Sequence, residues 1–465
     1  MKRTAVINVA GLSESLIGKS TPRLEAFRRA GALTRIAPAF PAVTCTAQAN
    51  YLTGRRPGEH GIVGNGWYDR ELSEVHFWKQ SNRLVRGAKL WDRVREAEPK
   101  FTCAQLFWWF NMYSGADWSI TPRPMYPADG RKIFDIYAWP YALRTEILRE
   151  LGEFPFPAFW GPAAGRDTGQ YAADAASRWI AEAAKRVEQK YSPGLNLIYL
   201  PHLDYNLQRL GPGHAEIAND LARIDAIAGD LIEFLGQRGV QAVVLSEYGV
   251  SAVDKPVHLN RLFREQGWVA VKEELSRELL DCGASRVFAV ADHQVAHIYV
   301  NDTSLAGEAR KLLESQPGVG EVWGAAEKRA AGIEHARAGD LIAVAAERAW
   351  FTYYYWLDDA RAPDFARTVD IHRKPGYDPV ELFLDPTTRW MRAKIAWRLL
   401  QKRAGFRMLM DVVPLDAALV RGSHGRRTTR KEEWPVLLSS RRDLIEGTEV
   451  ESTGVFDLLR RHMKD

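Results

Sequence analysis

Residues 40–65 read FPAVTCTAQANYLTGRRPGEHGIVGN, and this segment decides how the rest of the chain is interpreted. Pro41 favours an extended approach, and residues 46–53 predict a short helix that Gly54 closes. Thr44 therefore lies where an extended segment enters a helix. The free N–H groups and the positive dipole end of a helix N-terminus attract phosphate, so the Thr44 hydroxyl would face a bound anion.

The same segment resembles the nucleophile region of the alkaline phosphatase superfamily, in its type I phosphodiesterase/nucleotide pyrophosphatase branch. Phe40-Pro41, Thr44, Thr53-Gly54 and residues 60–65 match the pattern of that branch. The resemblance implies that Thr44 attacks phosphorus and that Asn65 binds a non-bridging oxygen. The residues alone leave an alternative open, in which Thr44 caps a helix and Asn65 lies in a glycine turn.

The resemblance also implies two divalent ions, usually zinc, and the expected ligand motifs are altered in this chain. Asp204, Glu247 and His424 occupy ligand positions and keep a carboxylate or an imidazole. Three other ligand positions hold Ala10, Gln208 and Tyr248, which are not normal ligands. Because a zinc site needs about four N, O or S ligands, we expect one or two ions, zinc or possibly manganese, in an altered site.

Other residues of the chain could complete such a site. Asp292 and His293 follow a predicted strand, and Asp370 and His372 would share one face of an extended segment, where side chains alternate with period two. These four residues join the predicted metal ligands. Further candidates are His202, His258, His297 and Asp378, although a single histidine or aspartate is more often structural.

Bulk composition limits the class of partner. The chain has 465 residues, of which 46% are hydrophobic, and 63 basic and 58 acidic residues give a formal charge of +5. This charge is small for the size and does not indicate nucleic acid. We expect a small-molecule phosphate ester as partner, no nucleic acid polymer, and an oligomeric state that the sequence does not specify.

The cysteines and the hydropathy pattern indicate a cytoplasmic protein. Cys45, Cys103 and Cys282 are isolated and form no CxxC pair, which fits a reducing compartment. The N-terminal apolar run is too short for a signal peptide core, and no run approaches the ~20 residues of a membrane span. We therefore expect no transmembrane segment.

Alternating strands and helices predict an α/β fold. Strands are predicted at 4–9, 102–106, 195–200 and 242–246, and helices at 22–30, 85–97, 168–189, 217–238 and 257–266. With the resemblance, this indicates an alkaline-phosphatase-like three-layer sandwich with a mostly parallel central sheet, in a single domain spanning 1–465. Ligands bind beyond the carboxyl ends of the strands in such folds, where the candidate residues fall.

Two further segments are distinctive. Residues 107–165 are rich in aromatic residues and proline and predict a cap insertion, whose aromatic side chains could stack a base or simply pack as a lid. Residues 389–407 predict a basic helix with Trp390 and Trp397, which either docks on the body with a solvated basic face or rests on an anionic membrane surface.

Taken together, the sequence predicts a metal-dependent phosphoric ester hydrolase that acts through a phosphothreonine at Thr44. Phosphodiester or nucleotide substrates are what the resemblance implies. Two alternatives stay open: a non-catalytic relative that binds a phosphate ligand, and a phosphoryl transferase to an acceptor other than water.

Overall fold

Hydrogen-bonded strands and the helices between them make up the chain. The computed structural model describes residues 1–129 and 131–464. In chain order the strands are β1 (Thr4–Val9), β2 (Ala32–Ala37), β3 (Gly66–Asp69), β4 (Glu74–Phe77), β5 (Cys103–Leu106), β6 (Trp118–Pro122), β7 (Ile136–Trp139), β8 (Leu195–Leu200), β9 (Gln241–Leu245), β10 (Ser251–Ala252), β11 (Lys255–Val257), β12 (Ala270–Glu274), β13 (Arg277–Asp281), β14 (Val287–Asp292), β15 (Val295–Val300), β16 (Val319–Trp323), β17 (Leu341–Ala345), β18 (Ala349–Phe351), β19 (Gly422–Ser423), β20 (Val436–Ser439) and β21 (Glu449–Glu451).

The main sheet has nine strands in the order β21-β2-β20-β9-β1-β8-β5-β6-β7. Its centre, β9-β1-β8-β5-β6, is parallel throughout, whereas β20 and β7 run antiparallel to their neighbours. Every residue of β1 and β8 is buried, because parallel strands covered on both faces are apolar along their whole length. The predicted strands at 4–9 and 195–200 are therefore confirmed.

Helices cover the sheet in two groups. In chain order they are α1 (Pro22–Ala30), α2 (Thr44–Thr53), α3 (Pro57–His60), α4 (Leu90–Arg95), α5 (Tyr141–Leu151), α6 (Phe156–Phe159), α7 (Ala175–Tyr191), α8 (His202–Leu210), α9 (Ile217–Gln237), α10 (Leu259–Glu265), α11 (Ala306–Ser315), α12 (Ala325–Ala331), α13 (Met391–Arg403) and α14 (Val455–Lys464). α1 and α7 both contact α9, while α14 contacts α2 and α4. This is the predicted α/β class, a three-layer arrangement around a mostly parallel sheet.

A second hydrophobic core lies beside the main one. It surrounds the antiparallel sheet β14-β15-β17-β16 and contains the aromatic run 350–356. The 107–165 segment, in which Gly130 lies outside the described residues, supplies β6 and β7 to the edge of the main sheet, and three of its aromatic side chains reach the cleft described below. The single domain and the cap insertion stay predictions.

The predicted helix starts are wrong for α2, α4, α7 and α10, and the last of these begins at Leu259 rather than at 257. α2 begins at Thr44 rather than at 46, since Val43 is the extended residue that precedes it. α4 begins at Leu90, because Gly87 has a φ of 91° and the Lys89 ammonium donates to the carbonyls of Val85 and Gly87. α7 begins at Ala175, because a hydrogen-bonded turn at residues 168–171 precedes it.

α13 is the predicted basic helix, shorter than expected at both ends. None of its residues is buried, and it is held to the body by half-buried Met391 and Ile395 and by ion pairs of Lys394 and Arg398 with Asp411 at 2.9 and 3.1 Å. In the described part of the chain, no helix is both long enough and apolar enough to cross a bilayer.

We expect Gly422→Ala to destabilise the protein. A Cβ at Gly422 would lie 2.0 Å from the Leu207 carbonyl oxygen, so β19 could no longer pack against α8. The free energy of unfolding should fall by about 1–3 kcal/mol or more, measured by chemical denaturation.

The matched control is Gly236→Ala in the exposed part of α9, where an added Cβ meets no atom within 4 Å. That variant should gain about 0.5–1 kcal/mol from helix propensity. Equal stabilities for the two variants would contradict the close approach of β19 to α8.

Candidate functional site

Thr44 lies at the floor of a cleft at the carboxyl ends of the central strands. It is the first residue of α2 and only 4% of it is exposed. The cleft has a volume of about 560 Å³. It is lined by Thr44, Trp78, Trp109, Phe159, Trp160, Tyr199, Pro201, Asp204, Tyr205, Tyr248, His293, Ile371, Tyr377 and His424, among which there is no lysine or arginine.

Glu247 lies beside Thr44 and is held in place at one carboxylate oxygen. Its Oε1 accepts hydrogen bonds from Asn8 Nδ2 in β1 at 2.7 Å and from Gln48 Nε2 in α2. Its Oε2 has no hydrogen-bond partner within the described residues. Burial raises the pKa of Glu247, and interactions with Gln48, Asn8 and the nearby Thr44 hydroxyl partly offset this. The free oxygen of a buried, anchored carboxylate is therefore available to the hydroxyl.

Asp204 follows β8 in the first turn of α8, and both of its oxygens are occupied. Oδ2 accepts from Gln208 Nε2 at 2.6 Å, and Oδ1 accepts from the Tyr248 hydroxyl at 3.3 Å. Gln208 in turn accepts from the Tyr377 hydroxyl at 3.0 Å. Neutral side chains thus surround this carboxylate with donors.

Four rings stack into a column along one wall of the cleft. Tyr248 stacks on His424 with centroids 3.5 Å apart, His424 contacts His293 at 3.7 Å, and His293 stacks on Tyr377 at 3.6 Å. Nδ1 of His424 lies 2.7 Å from the Ala42 carbonyl oxygen, so this nitrogen carries the proton and donates. Nε2 of His293 is buried and has no hydrogen-bond partner among the described residues.

Asn65 joins the α2 N-terminus to β14. Its Oδ1 accepts from the Cys45 N–H at 3.0 Å, and its Nδ2 and backbone N–H donate to Asp292 at 3.0 and 2.7 Å. The Cys45 N–H, which an N-terminal anion site would offer to a phosphoryl oxygen, is therefore occupied. A contact from Asn65 to substrate would need its second amide hydrogen.

Burial sets the ionisation of these groups. It raises the pKa of Asp204 and of Glu247 to about 7 and that of Asp292 to about 6, against the lowering effect of their hydrogen bonds. It lowers the pKa values of His293 and His424 well below the usual range. Both imidazoles are therefore neutral near pH 7, whereas the three carboxyl groups gain or lose their protons close to that pH.

The surviving ligand residues do not fit a two-ion centre. Tyr248 hydrogen-bonds Asp204 and stacks on His424, so its side chain already links the two residues that an ion would share. Ala10 offers no donor atom near Glu247. Across residues 1–129 and 131–464, no three His, Cys, Asp or Glu side chains are grouped to hold a metal ion.

The structure divides the predicted metal ligands into two sets. Asp204, His293 and His424 line the cleft, and Glu247 and Asp292 interact with Thr44 and Asn65 just behind it. Asp370 and His372 do not line it, because residues 371–373 form a turn rather than an extended segment, and Ile371 points inward instead. The His372 ring lies 3.4 Å from the Phe77 carbonyl.

The remaining candidates serve structural contacts. His202 pairs with Asp220 at 3.0 Å, His258 with Thr352 at 2.7 Å, and His297 with the Val63 carbonyl at 2.9 Å. Asp378 pairs with Lys374 at 2.7 Å.

Sequence reasoning missed several residues that shape the site. Asn8 is a polar residue inside an apolar strand, and Gln48 lies one helical turn after Thr44, so both carried a local signal. Tyr199 carried none, because tyrosine in a strand is common.

A buried ion cluster holds the outer wall of the cleft. The Lys374 ammonium pairs with Asp378 and with Glu381, both at 2.7 Å, and Glu381 accepts from the Trp160 indole at 2.5 Å. Burial lowers the pKa of Lys374, but the two carboxylates offset this and bring the pKa above its usual value. Lys374 is therefore charged, and the cluster fixes Trp160 and Tyr377.

A threonine at a helix N-terminus, below strand ends that carry acids and imidazoles, defines the class of phosphoryl-transfer hydrolases with an alkaline-phosphatase-like fold. Residues 4–378 match the family model for type I phosphodiesterase/nucleotide pyrophosphatase. The chain belongs to this family and is an enzyme of the phosphodiesterase/nucleotide pyrophosphatase type.

Solved structures share the fold. Phosphonoacetate hydrolase from Sinorhizobium meliloti 1021, in complex with phosphonoformate, matches with a TM-score of 0.62 and 15% identity over 99% of this chain and 95% of that chain. Murine ectonucleotide pyrophosphatase/phosphodiesterase 5 matches with a TM-score of 0.58 and 14% identity over 99% and 95%. No curated protein sequence matched the chain.

We expect Lys374→Met to destabilise the protein strongly. Removing the ammonium leaves Asp378 and Glu381 buried without a counter-charge, which costs about 3–5 kcal/mol in such clusters. Denaturant unfolding would measure this loss.

The matched control is the neighbouring variant Arg373→Met. Arg373 pairs with Asp364 at 3.3 Å, and both side chains are about half exposed, so its loss should cost less than about 1 kcal/mol. Similar losses for the two variants would show that the Lys374 cluster is not a buried charge network.

Proposed function

We propose that the protein hydrolyses phosphoric esters and that Thr44 is the nucleophile. The observation that carries the proposal is the position of the Thr44 hydroxyl, at the start of α2 and close to the buried Glu247 carboxyl group, whose Oε2 has no hydrogen-bond partner among the described residues. A hydroxyl is a weak nucleophile until a base takes its proton, and a carboxylate anchored by two amide donors is suited to that task.

The α2 N-terminus supports the phosphoryl group. The backbone N–H groups of Thr44 and Thr46 donate to no acceptor in the described chain, and the positive end of the helix dipole favours negative charge. With the second amide hydrogen of Asn65, these groups would hold the equatorial oxygens on which charge accumulates during transfer.

The first step transfers the phosphoryl group to threonine. The Thr44 Oγ1–phosphorus bond forms, the bond from phosphorus to the leaving oxygen breaks, and the Thr44 proton passes to Glu247 Oε2. A water molecule in the cleft gives its proton to the leaving oxygen.

The second step regenerates the enzyme. The hydroxide left from that water attacks phosphorus, the bond to Thr44 breaks, and Glu247 returns its proton to Oγ1. One water is consumed, and its proton and hydroxyl appear in the two products.

The cleft walls indicate the substrate class. Trp78, Trp109 and Trp160 offer flat apolar surfaces, and the lining has acidic groups but no cation to neutralise a dianion. A phosphodiester, which carries one negative charge, and which has an aromatic or apolar substituent, fits best. An inactive variant of the murine relative was solved in complex with AMP, which supports a nucleotide-like group.

The proposed steps do not use a divalent metal ion. Divalent ions are typical of the family, and zinc or manganese was expected here, but the residues around Thr44 do not fit a two-ion centre. We propose that Glu247 activates Thr44 by accepting its proton, and none of the steps above involves a metal ion. The cytoplasmic location stays a prediction.

We expect Thr44→Ala to reduce turnover of bis-p-nitrophenyl phosphate by about a thousandfold or more, because no other residue replaces the attacking oxygen. Release of p-nitrophenol measures turnover, and unfolding curves confirm that the variant is folded. Thr44→Ser keeps a hydroxyl and should keep measurable activity.

Unchanged turnover in Thr44→Ala would rule out the role of Thr44. If neither form turns over the diester but the wild type binds it, the chain is a phosphate-ligand-binding relative. Release of p-nitrophenol without a matching water-derived product, in the presence of an alcohol acceptor, would indicate a transferase.

We expect Glu247→Gln to lower kcat by about a hundredfold or more with little change in KM, since the amide keeps the shape but accepts no proton. The control is Glu188→Gln, a buried carboxylate in α7 that pairs with Arg3 and Arg238, which precede the amino ends of β1 and β9, whereas the cleft lies at the carboxyl ends of the strands.

Metal content and chelation test whether Glu247 or a metal ion activates Thr44. The purified protein should hold no stoichiometric zinc or manganese by elemental analysis, and chelation should leave its kcat unchanged. If chelation abolishes turnover and zinc restores it, Thr44 remains the nucleophile but an ion, rather than Glu247, activates it.

A further inference from the structure

The exposed side of α13 carries an apolar stripe that the protein itself does not cover. Trp390, Ala393, Trp397 and Leu400 recur at spacings of three and four residues, so they lie along one face of the helix. Trp390 is 70% exposed, and Trp397 and Leu400 are each 57% exposed. The opposite side, through Met391, Ile395 and Arg398, is the one that contacts the body.

Basic side chains border this stripe. Residues 389–410 contain seven lysines and arginines and no aspartate or glutamate. Two of the seven, Lys394 and Arg398, pair with Asp411 on the body side. The other five are Arg389, Arg392, Lys402, Arg403 and Arg407, for which the described residues provide no ion pair.

Apolar exposure continues beyond the helix. Phe406 is 68% exposed and Leu409 is 40% exposed in the segment that follows α13. The exposed apolar residues thus form an extended face rather than a single protruding side chain.

We propose that this α13 face, defined by Trp390, Ala393, Trp397 and Leu400 with their basic neighbours, binds an anionic lipid surface. Tryptophan and leucine enter the boundary between head groups and acyl chains, while lysine and arginine reach the lipid phosphates. A second protein would need carboxylates placed opposite five separate cations, whereas a lipid surface supplies negative charge everywhere.

The charge pattern also distinguishes this surface from an ordinary solvated helix face. A solvated face carries charges of both signs and few large apolar groups. Here the large apolar groups face outward, and every charged residue within 389–410 is basic. The protein would bind at the membrane surface with α13 parallel to it, independently of the chemistry in the cleft.

Co-sedimentation of the full chain with vesicles tests the proposal. We expect binding to vesicles of phosphatidylcholine with phosphatidylserine and little binding to phosphatidylcholine alone. Binding should weaken as salt is raised, because salt screens the contribution of the basic residues.

Two variants separate the apolar and electrostatic contributions. W390S/W397S and R392E/R403E should each lower the partition coefficient by roughly tenfold or more. Their controls are Leu275→Ser, at an apolar residue that is 98% exposed in the β12–β13 turn, and Lys19→Glu, at an exposed lysine near α1. Both controls should bind like the wild type.

Three results would overturn the proposal. The first is equal binding to neutral and anionic vesicles, and the second is unchanged binding in both α13 variants. The third is self-association through α13, seen by analytical ultracentrifugation as a dimer that W390S/W397S dissolves, with no vesicle binding. Turnover of bis-p-nitrophenyl phosphate in solution should be the same in all these variants.

Discussion

The buried carboxylate of Glu247 is the group on which the arrangement of the site depends. Its Oε1 is held by Asn8 of the central strand β1 and by Gln48 of α2, so one side chain joins the sheet to the helix that presents Thr44. The Tyr51 hydroxyl adds a second link, donating to the Ser246 carbonyl at 2.8 Å. Because an unpaired carboxylate is costly to bury, the position of α2 against the strand ends is narrowly defined.

Hydrogen bonds and ring stacking also explain how the side chains at the altered positions remain stably buried. Asp204 and His424 are buried, and buried polar groups without partners destabilise a protein. Gln208 and Tyr248 supply donors to Asp204, and Tyr248 with His293 covers the ring of His424. Gln208 and Tyr248 therefore form one connected set of contacts with Asp204 and His424.

Local sequence signals predicted the α/β class, and the resemblance of residues 40–65 to a known family predicted the particular fold. Mostly apolar runs of six residues predicted β1 and β8 to the residue, and Pro22 marked the start of α1. The boundaries of α4 and α7 were wrong because hydrogen-bonded turns took up residues with a helical pattern. Asp370 and His372 were misplaced for the same reason: period-two alternation holds only in an extended chain, and theirs is a turn.

The sequence by itself determined the α/β class, the presence of a short helix that ends at Gly54, and the identity of the polar residues at the strand ends. These follow from periodicity and from turn chemistry, which act over a few residues. Only the tertiary structure decided which of those residues meet. Tyr248 reaches Asp204 across 44 positions and Asn8 reaches Glu247 across 239, and contacts at such separations depend on how the strands are ordered in the sheet.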